Sequence, residues 1–243
     1  PQDGEEVSVL KARIKFRKYG CMKFIGHLDV MRFFQKVMRR ADIPIAFSGG
    51  YSPHMIMSFA APLGVGTESL GEYFDLELAE TVPTSEITRR LDAVMVEGVH
   101  VLSTRQVEDG KAGKAMSLAA ADYYVEFRPG KEPEISWKDK ISDFLAQPEI
   151  TVMKKTKRSE KEIDIRPFIY KMELQGDKIF MMLASASANY TKPELVTDTF
   201  FSWLGIELPE FAYSIKRLEV YADKGTEEEH KFVTLEALGE EVE

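Results

Sequence analysis

The feature that most constrains this chain is an order of elements that occurs twice. Alternation and helical spacing in the first half predict strand, helix, strand, strand, helix, strand, and the same order returns in the second half. Lys11-Ala-Arg-Ile-Lys-Phe-Arg17 has period two, so Lys11, Arg13, Lys15 and Arg17 share one strand face while Ala12, Ile14 and Phe16 share the other. After a turn at Tyr19-Gly20, Gly26-His-Leu-Asp29 opens a helix with apolar positions Val30, Met31, Phe34, Val37, Met38 and Ala41, ended by Pro44. A second strand is expected at Ile45 to Phe47 or around Met55 to Phe59. Glu72 to Leu78 alternates, with Phe74, Leu76 and Leu78 inward and Tyr73, Asp75 and Glu77 outward. Thr84-Ser-Glu-Ile87 starts a second helix, and Val99 to Leu102 closes the unit.

Glu108 to Gly113 reads as a linker, where Gly and charge replace the apolar pattern. Beyond it, Ala121 to Phe127 is a strand, Ile135 to Leu145 a helix, Thr151 to Tyr170 extended, and Lys178 to Leu183 a strand. Pro193 to Leu204 is a helix stopped by Gly205, and Tyr213 to Tyr221 the last strand. The pattern predicts an α+β fold of two tandem ferredoxin-like (βαββαβ) subdomains, each a four-stranded antiparallel sheet with two helices on one face. The expected boundaries are 1–107 for subdomain one, 108–120 for the linker, 121–222 for subdomain two and 223–243 for an acidic tail. That tail reads as a flexible end, with Lys231 to Leu238 as an optional strand.

Charge gives this plan a functional direction. Lys11 to Arg40 holds ten Lys/Arg and one acid, Asp29, in a 243-residue chain of net charge −8. A basic run opposing the sign of the molecule fits a polyanion, nucleic acid rather than membrane. With helices on one sheet face only, the first strand would display Arg13, Lys15 and Arg17 in a row on the other. A solvated sheet surface is the competing explanation. RNA-recognition sheets stack bases on an aromatic pair that this strand lacks, which leaves sequence-blind phosphate contacts.

No apolar run approaches the roughly 20 residues needed to span a bilayer, and the acidic start Pro1 to Glu6 is unlike a signal peptide. The single Cys21 excludes an internal disulfide and an all-cysteine metal or iron-sulfur site from this chain alone, and a reduced thiol fits the cytoplasm. The four His show no zinc spacing, so no metal is expected. A phosphate-binding Gly-rich loop, a dinucleotide fingerprint and a Gly-x-Ser-x-Gly elbow are also missing.

Three constellations remain. His27 and Asp29 sit in the first turn of the first helix, near Arg17, Lys23 and Arg32, where a helix N-terminus favours anions; the alternative is plain capping and packing. Ser48-Gly-Gly-Tyr-Ser-Pro-His54 is a long loop offering Tyr51 and His54. In the second half, Met153 to Ser159 is basic, and Asp164 and Arg166 fall on one face of an extended chain, with Lys192 and Arg217 as possible extensions of the positive surface.

A wider set of motifs resembles a known family. Phe16-Arg-Lys-Tyr-Gly20, Gly26-His-Leu-Asp29 with Arg32, Arg39 to Pro44, Gly50-Tyr-Ser-Pro-His54, Pro62-Leu-Gly64, Glu72-Tyr-Phe-Asp75, Ile163 to Pro167 and Lys192 to Leu195 are similar to the radical SAM-linked protein family. That bacterial domain is fused to, or encoded beside, a radical SAM enzyme. The resemblance implies service to such an enzyme, with SAM and the iron-sulfur cluster on the partner, since one Cys cannot supply a cluster's ligands. The twin plan also looks like that of tRNA pseudouridine synthases, although Gly50 to His54 lacks their catalytic Asp.

The resulting expectation is an RNA-binding accessory protein for tRNA or ribosomal RNA that presents substrate to a separate radical SAM enzyme. Arg13, Lys15, Arg17, Lys23, Arg32, Arg40 and Arg166 would hold phosphates; His27, Asp29, Tyr51, His54 and Asp75 would contact a base, substrate or partner. Two rivals stand beside it: a stand-alone RNA-modifying enzyme using Asp29 or Asp75 with His54, and a protein-only adaptor for the radical SAM partner.

Overall fold

A computed structural model describes residues 10–107, 118–155, 160–226 and 228–243. The first half comprises β1 (Leu10–Lys18), α1 (His27–Arg40), β2 (Met57–Phe59), β3 (Glu68–Leu78), α2 (Thr84–Asp92) and β4 (Val99–Val107). The second comprises β5 (Ala120–Phe127), α3 (Ile141–Leu145), β6 (Thr151–Lys155), β7 (Glu160–Asp164), β8 (Ile169–Gln175), β9 (Lys178–Ala184), α4 (Pro193–Trp203), β10 (Tyr213–Asp223) and β11 (Phe232–Thr234). Most of the expected elements are present. The helix expected from Ile135 shortens to α3 after a 3-10 turn at Lys138–Lys140, and Thr151 to Tyr170 resolves into the β6-β7 hairpin and the start of β8. The basic run loses residues 156–159, and the linker residues 108–117, to the part of the chain outside the described residues.

Local chemistry explains the helices. Asp29 lies in the first turn of α1 and Arg39 and Arg40 in the last, each complementing the helix dipole. Pro193 opens α4, where a missing N–H costs nothing, and Gly205 at φ +73° follows its end.

The fold is mixed α/β around one large, mostly antiparallel sheet. Nine strands form it in the order β4-β1-β3-β10-β5-β9-β8, with β2 added on β3 and β11 on β10. The two separate sheets expected from sequence are thus one. They join where β10 runs parallel to β3, pairing Lys216 with Glu68 and Arg217 with Ser69. Gly71 permits the approach, because a Cβ there would stand 2.9 Å from the Leu218 carbonyl oxygen and 2.7 Å from Glu219 Oε1.

Two apolar cores lie under the helices. Phe16, Phe34, Val37, Phe74 and Leu91 centre the first, and Trp137, Phe144, Met181, Phe200 and Phe201 the second. A third, smaller cluster of Tyr73, Val220, Ala222 and Leu235 occupies the opposite side of β3. The acidic tail is therefore a built element rather than a flexible end. β11 pairs with β10, a 3-10 turn follows at Glu236–Leu238, Glu240 bridges to Gln106, and Val242 exchanges hydrogen bonds with Thr84. It covers the sheet face that the sequence leaves open, which is why Tyr73 is buried although its alternation points outward.

Candidate functional site

The cationic row of β1 is present, but Lys11, Arg13 and Lys15 are neutralised by carboxylates. Arg13 is 1 % exposed, and its guanidinium grips Asp75 with two hydrogen bonds of 2.8 Å while donating to the Leu235 carbonyl at 3.0 Å. Lys15 Nζ meets Glu219 at 2.7 Å and Glu236 at 3.0 Å, and Lys11 lies 3.4 Å from Glu77. Arg17 stacks over Tyr19, with a buried Nε that has no hydrogen-bond partner among the described residues. Glu236 also accepts from Ser103 at 2.5 Å and faces Arg105 at 3.3 Å. The open polyanion cradle expected from Arg13, Lys15 and Arg17 is therefore absent. Charges taken out of water persist only when paired, and the partners come from β3, β10 and the C-terminal segment.

These pairs shift protonation in opposite directions. Partial burial lowers the Lys15 pKa, but Glu219 and Glu236 outweigh it and hold the ammonium above its ordinary value. For Glu236 burial works upward, and the bonds from Ser103 and Lys15 with the charges of Lys15 and Arg105 carry it below the usual carboxylate range.

A second charged cluster lies at the seam between the halves. Arg217, 1 % exposed, donates from Nε to Glu72 Oε1 at 3.1 Å and from Nη2 to the same oxygen and to the Ala61 carbonyl. Arg217 is thus no part of an exposed positive surface. Lys18 is buried beside this pair, with Nζ 3.5 Å from the Ile25 carbonyl; burial holds its pKa down, Glu72 opposing and Arg217 adding to the effect. With His27, Phe59 and Glu72 it lines a cavity of about 10 Å³. That volume suits about one water rather than a substrate. Burial also raises the Tyr123 hydroxyl well above its ordinary range, next to Arg217.

Sequence reasoning passed over Lys18 and Glu72 as site residues, although a signal existed. Both continue the inward parity of their strands, Lys18 after Ala12, Ile14 and Phe16, Glu72 before Phe74, Leu76 and Leu78.

The other expected residues do not converge. His27 packs its ring edge-on to Phe59 at 5.5 Å. Asp29 and Arg32 form an exposed pair at 3.5 Å, while Arg40 stands exposed at the end of α1. Lys23 lies 3.5 Å from Glu68. Tyr51 is fully exposed at a loop tip whose ends are tied by His54, which shares a 2.8 Å hydrogen bond with Ser48. Asp75 lies under the C-terminal segment with Arg13. Arg166 binds the Leu145 and Ile169 carbonyls at 2.7 and 3.3 Å, and its N–H donates to Asp164. Among the described residues, no three His, Cys, Asp or Glu are grouped to hold a metal ion, and no helix is long and apolar enough to cross a membrane.

A large concavity lies elsewhere, along the seam. It measures about 1010 Å³ and draws Phe24 and Val65 from the first half and the stretch Gly205 to Ile215 from the second.

Residues 11–193 match the family described as "uncharacterized protein conserved in bacteria (DUF2344)". The chain belongs to this family. No curated protein matches it significantly. The DUF2344 match takes in β1, α1, Glu72 and Asp75, and stops at the first residue of α4. Arg217, Glu219 and Glu236 lie beyond it, so both carboxylates on Lys15 and half of the seam pair come from outside the matched stretch.

Proposed function

We propose that this DUF2344 protein is an RNA-binding accessory protein, for tRNA or ribosomal RNA, that presents substrate to a separate radical SAM enzyme. The partner would carry SAM and the iron-sulfur cluster, in keeping with one cysteine in this chain. The observation that carries the reading is the outward face of α1. Arg32, Lys36, Arg39 and Arg40 are exposed there at the i, i+4, i+7 and i+8 spacing of one stripe, with Asp29 the one acid of the helix. The phosphate contacts expected of the β1 row move to this helix, which keeps its cations in water. We read the two halves as ferredoxin-like units fused edge to edge. The orders β4-β1-β3 with β2 on β3, and β10-β5-β9-β8, support this because each places the first strand of its unit centrally.

The test is fluorescence anisotropy on a tRNA pool across a salt series. Replacing Arg32, Lys36, Arg39 and Arg40 together by Ser should weaken binding and flatten the slope of log K against log salt by about 3. Lys171→Ser, on β8, should change little. An unchanged affinity and slope in the α1 variant would overturn the RNA reading.

A further inference from the structure

Phe211 stands where a chain has every reason not to place it. It is 71 % exposed and holds φ +56°, a left-handed conformation that disfavours any side chain with a Cβ. The turn Pro209 to Ala212 explains the backbone: the Ala212 N–H donates to the Pro209 carbonyl at 3.1 Å, putting Phe211 at the third of four turn positions. A positive φ there selects Gly or Asn. At 71 % exposure phenylalanine returns little packing to the fold in exchange, and strain of this kind gathers at ligand clamps.

Phe211 does not stand alone. Phe24 at 65 % and Val65 at 64 % exposure, both from the other half, line the same seam groove of about 1010 Å³. Single exposed apolar side chains are ordinary, whereas three converging on one concavity mark an interaction surface. Glu194, Asp198, Glu207 and Glu210 are exposed around it, with Arg128 the opposing cation among the described lining residues. Such a rim repels phosphates and attracts ammonium and guanidinium groups.

We propose that this groove docks a basic, amphipathic segment of a partner protein, with Phe24, Val65 and Phe211 as apolar anchors and the carboxylates as its charge complement. The inference rests on the accessory reading only in supposing a protein partner, since the RNA surface on α1 is separate.

The probes are a synthetic peptide of about 18 residues, or five helical turns, built from Leu and Lys, and its Leu/Glu counterpart. Both are titrated calorimetrically into the full chain. The Leu/Lys peptide should bind and the Leu/Glu peptide should not. Phe211→Gly should weaken binding about tenfold while the thermal midpoint holds or rises. Glu207→Lys with Glu210→Lys should weaken it by a similar factor, and tRNA binding should be unchanged in Phe211→Gly. Equal binding of the two peptides, no binding of either, or indifference to Phe211→Gly would overturn the proposal. So would a fall in the midpoint of Phe211→Gly, which would make Phe211 a structural residue, or its conversion of a dimer to a monomer in sedimentation, which would make the occupant a second copy. Failure of the α1 test with retained peptide binding would remove the RNA reading alone.

Discussion

At Glu72 a carboxylate sits on the apolar face of β3, and what offsets its burial is a guanidinium 145 residues away. Removing one partner of such a pair leaves the other charge uncompensated. Glu72→Ala should therefore cost about 3–5 kcal/mol, whereas Glu72→Met combined with Arg217→Met should be far milder. Urea unfolding of the single and the double variant checks this; a small cost for Glu72→Ala would mean that water reaches Arg217. The parity of Glu72 was legible in the sequence, since the alternation that places Phe74 inward places Glu72 inward too. Arg13 was not legible in the same way. Period two separates two faces of a strand without saying which one is wet, and the atoms that dry Arg13 belong to Asp75 and Leu235, 62 and 222 residues distant.

Among the elements, the C-terminal segment changes the picture most. Its composition reads as a solvated acidic end, yet Glu236 and Glu241 meet Lys15 and Arg105, and Glu219 on β10 completes the set. A basic strand and an acidic tail in one chain are the signal in the sequence for their mutual neutralisation. The helix starts and stops, by contrast, depend on neighbouring residues, so α1 and α4 are legible in the sequence nearly to their ends. Glu236 titrates below its ordinary value in the fold, so its contribution is present above about pH 4.3 and is lost as pH falls through the lower folded value. Lys15 titrates above its own, so its contribution is present below about pH 10.4 and is lost as pH rises through the higher folded value. Protection of the Leu235 and Leu238 amides, taken as exchange relative to the intrinsic rate at each pH, should therefore be high between those limits and fall on either side. Glu236→Gln should flatten the acid limb, and an acid limb unaltered by that change would show that other carboxylates hold the segment.

For the whole molecule the question is whether two cores, each with its own helices, unfold as one. Weakly joined units separate as a rule. Here β3 and β10 share only two register pairs, but the Glu72–Arg217 bridge crosses the same seam, and the segment after β10 returns to the first half at Lys15, Gln106 and Thr84. Two ties of different kinds act together, one buried and ionic, the other a strand and turn laid over the opposite face. Both tryptophans, Trp137 and Trp203, lie in the second half, so their fluorescence follows that half while far-UV circular dichroism follows both. The two signals should trace one urea transition in the natural chain. In Arg217→Met the midpoints should separate, because the uncompensated Glu72 destabilises the first half directly and the second only through the weakened seam. Coincident curves in that variant would assign the coupling to the C-terminal segment, and separate curves in the natural chain would mean that neither tie holds the halves as a unit.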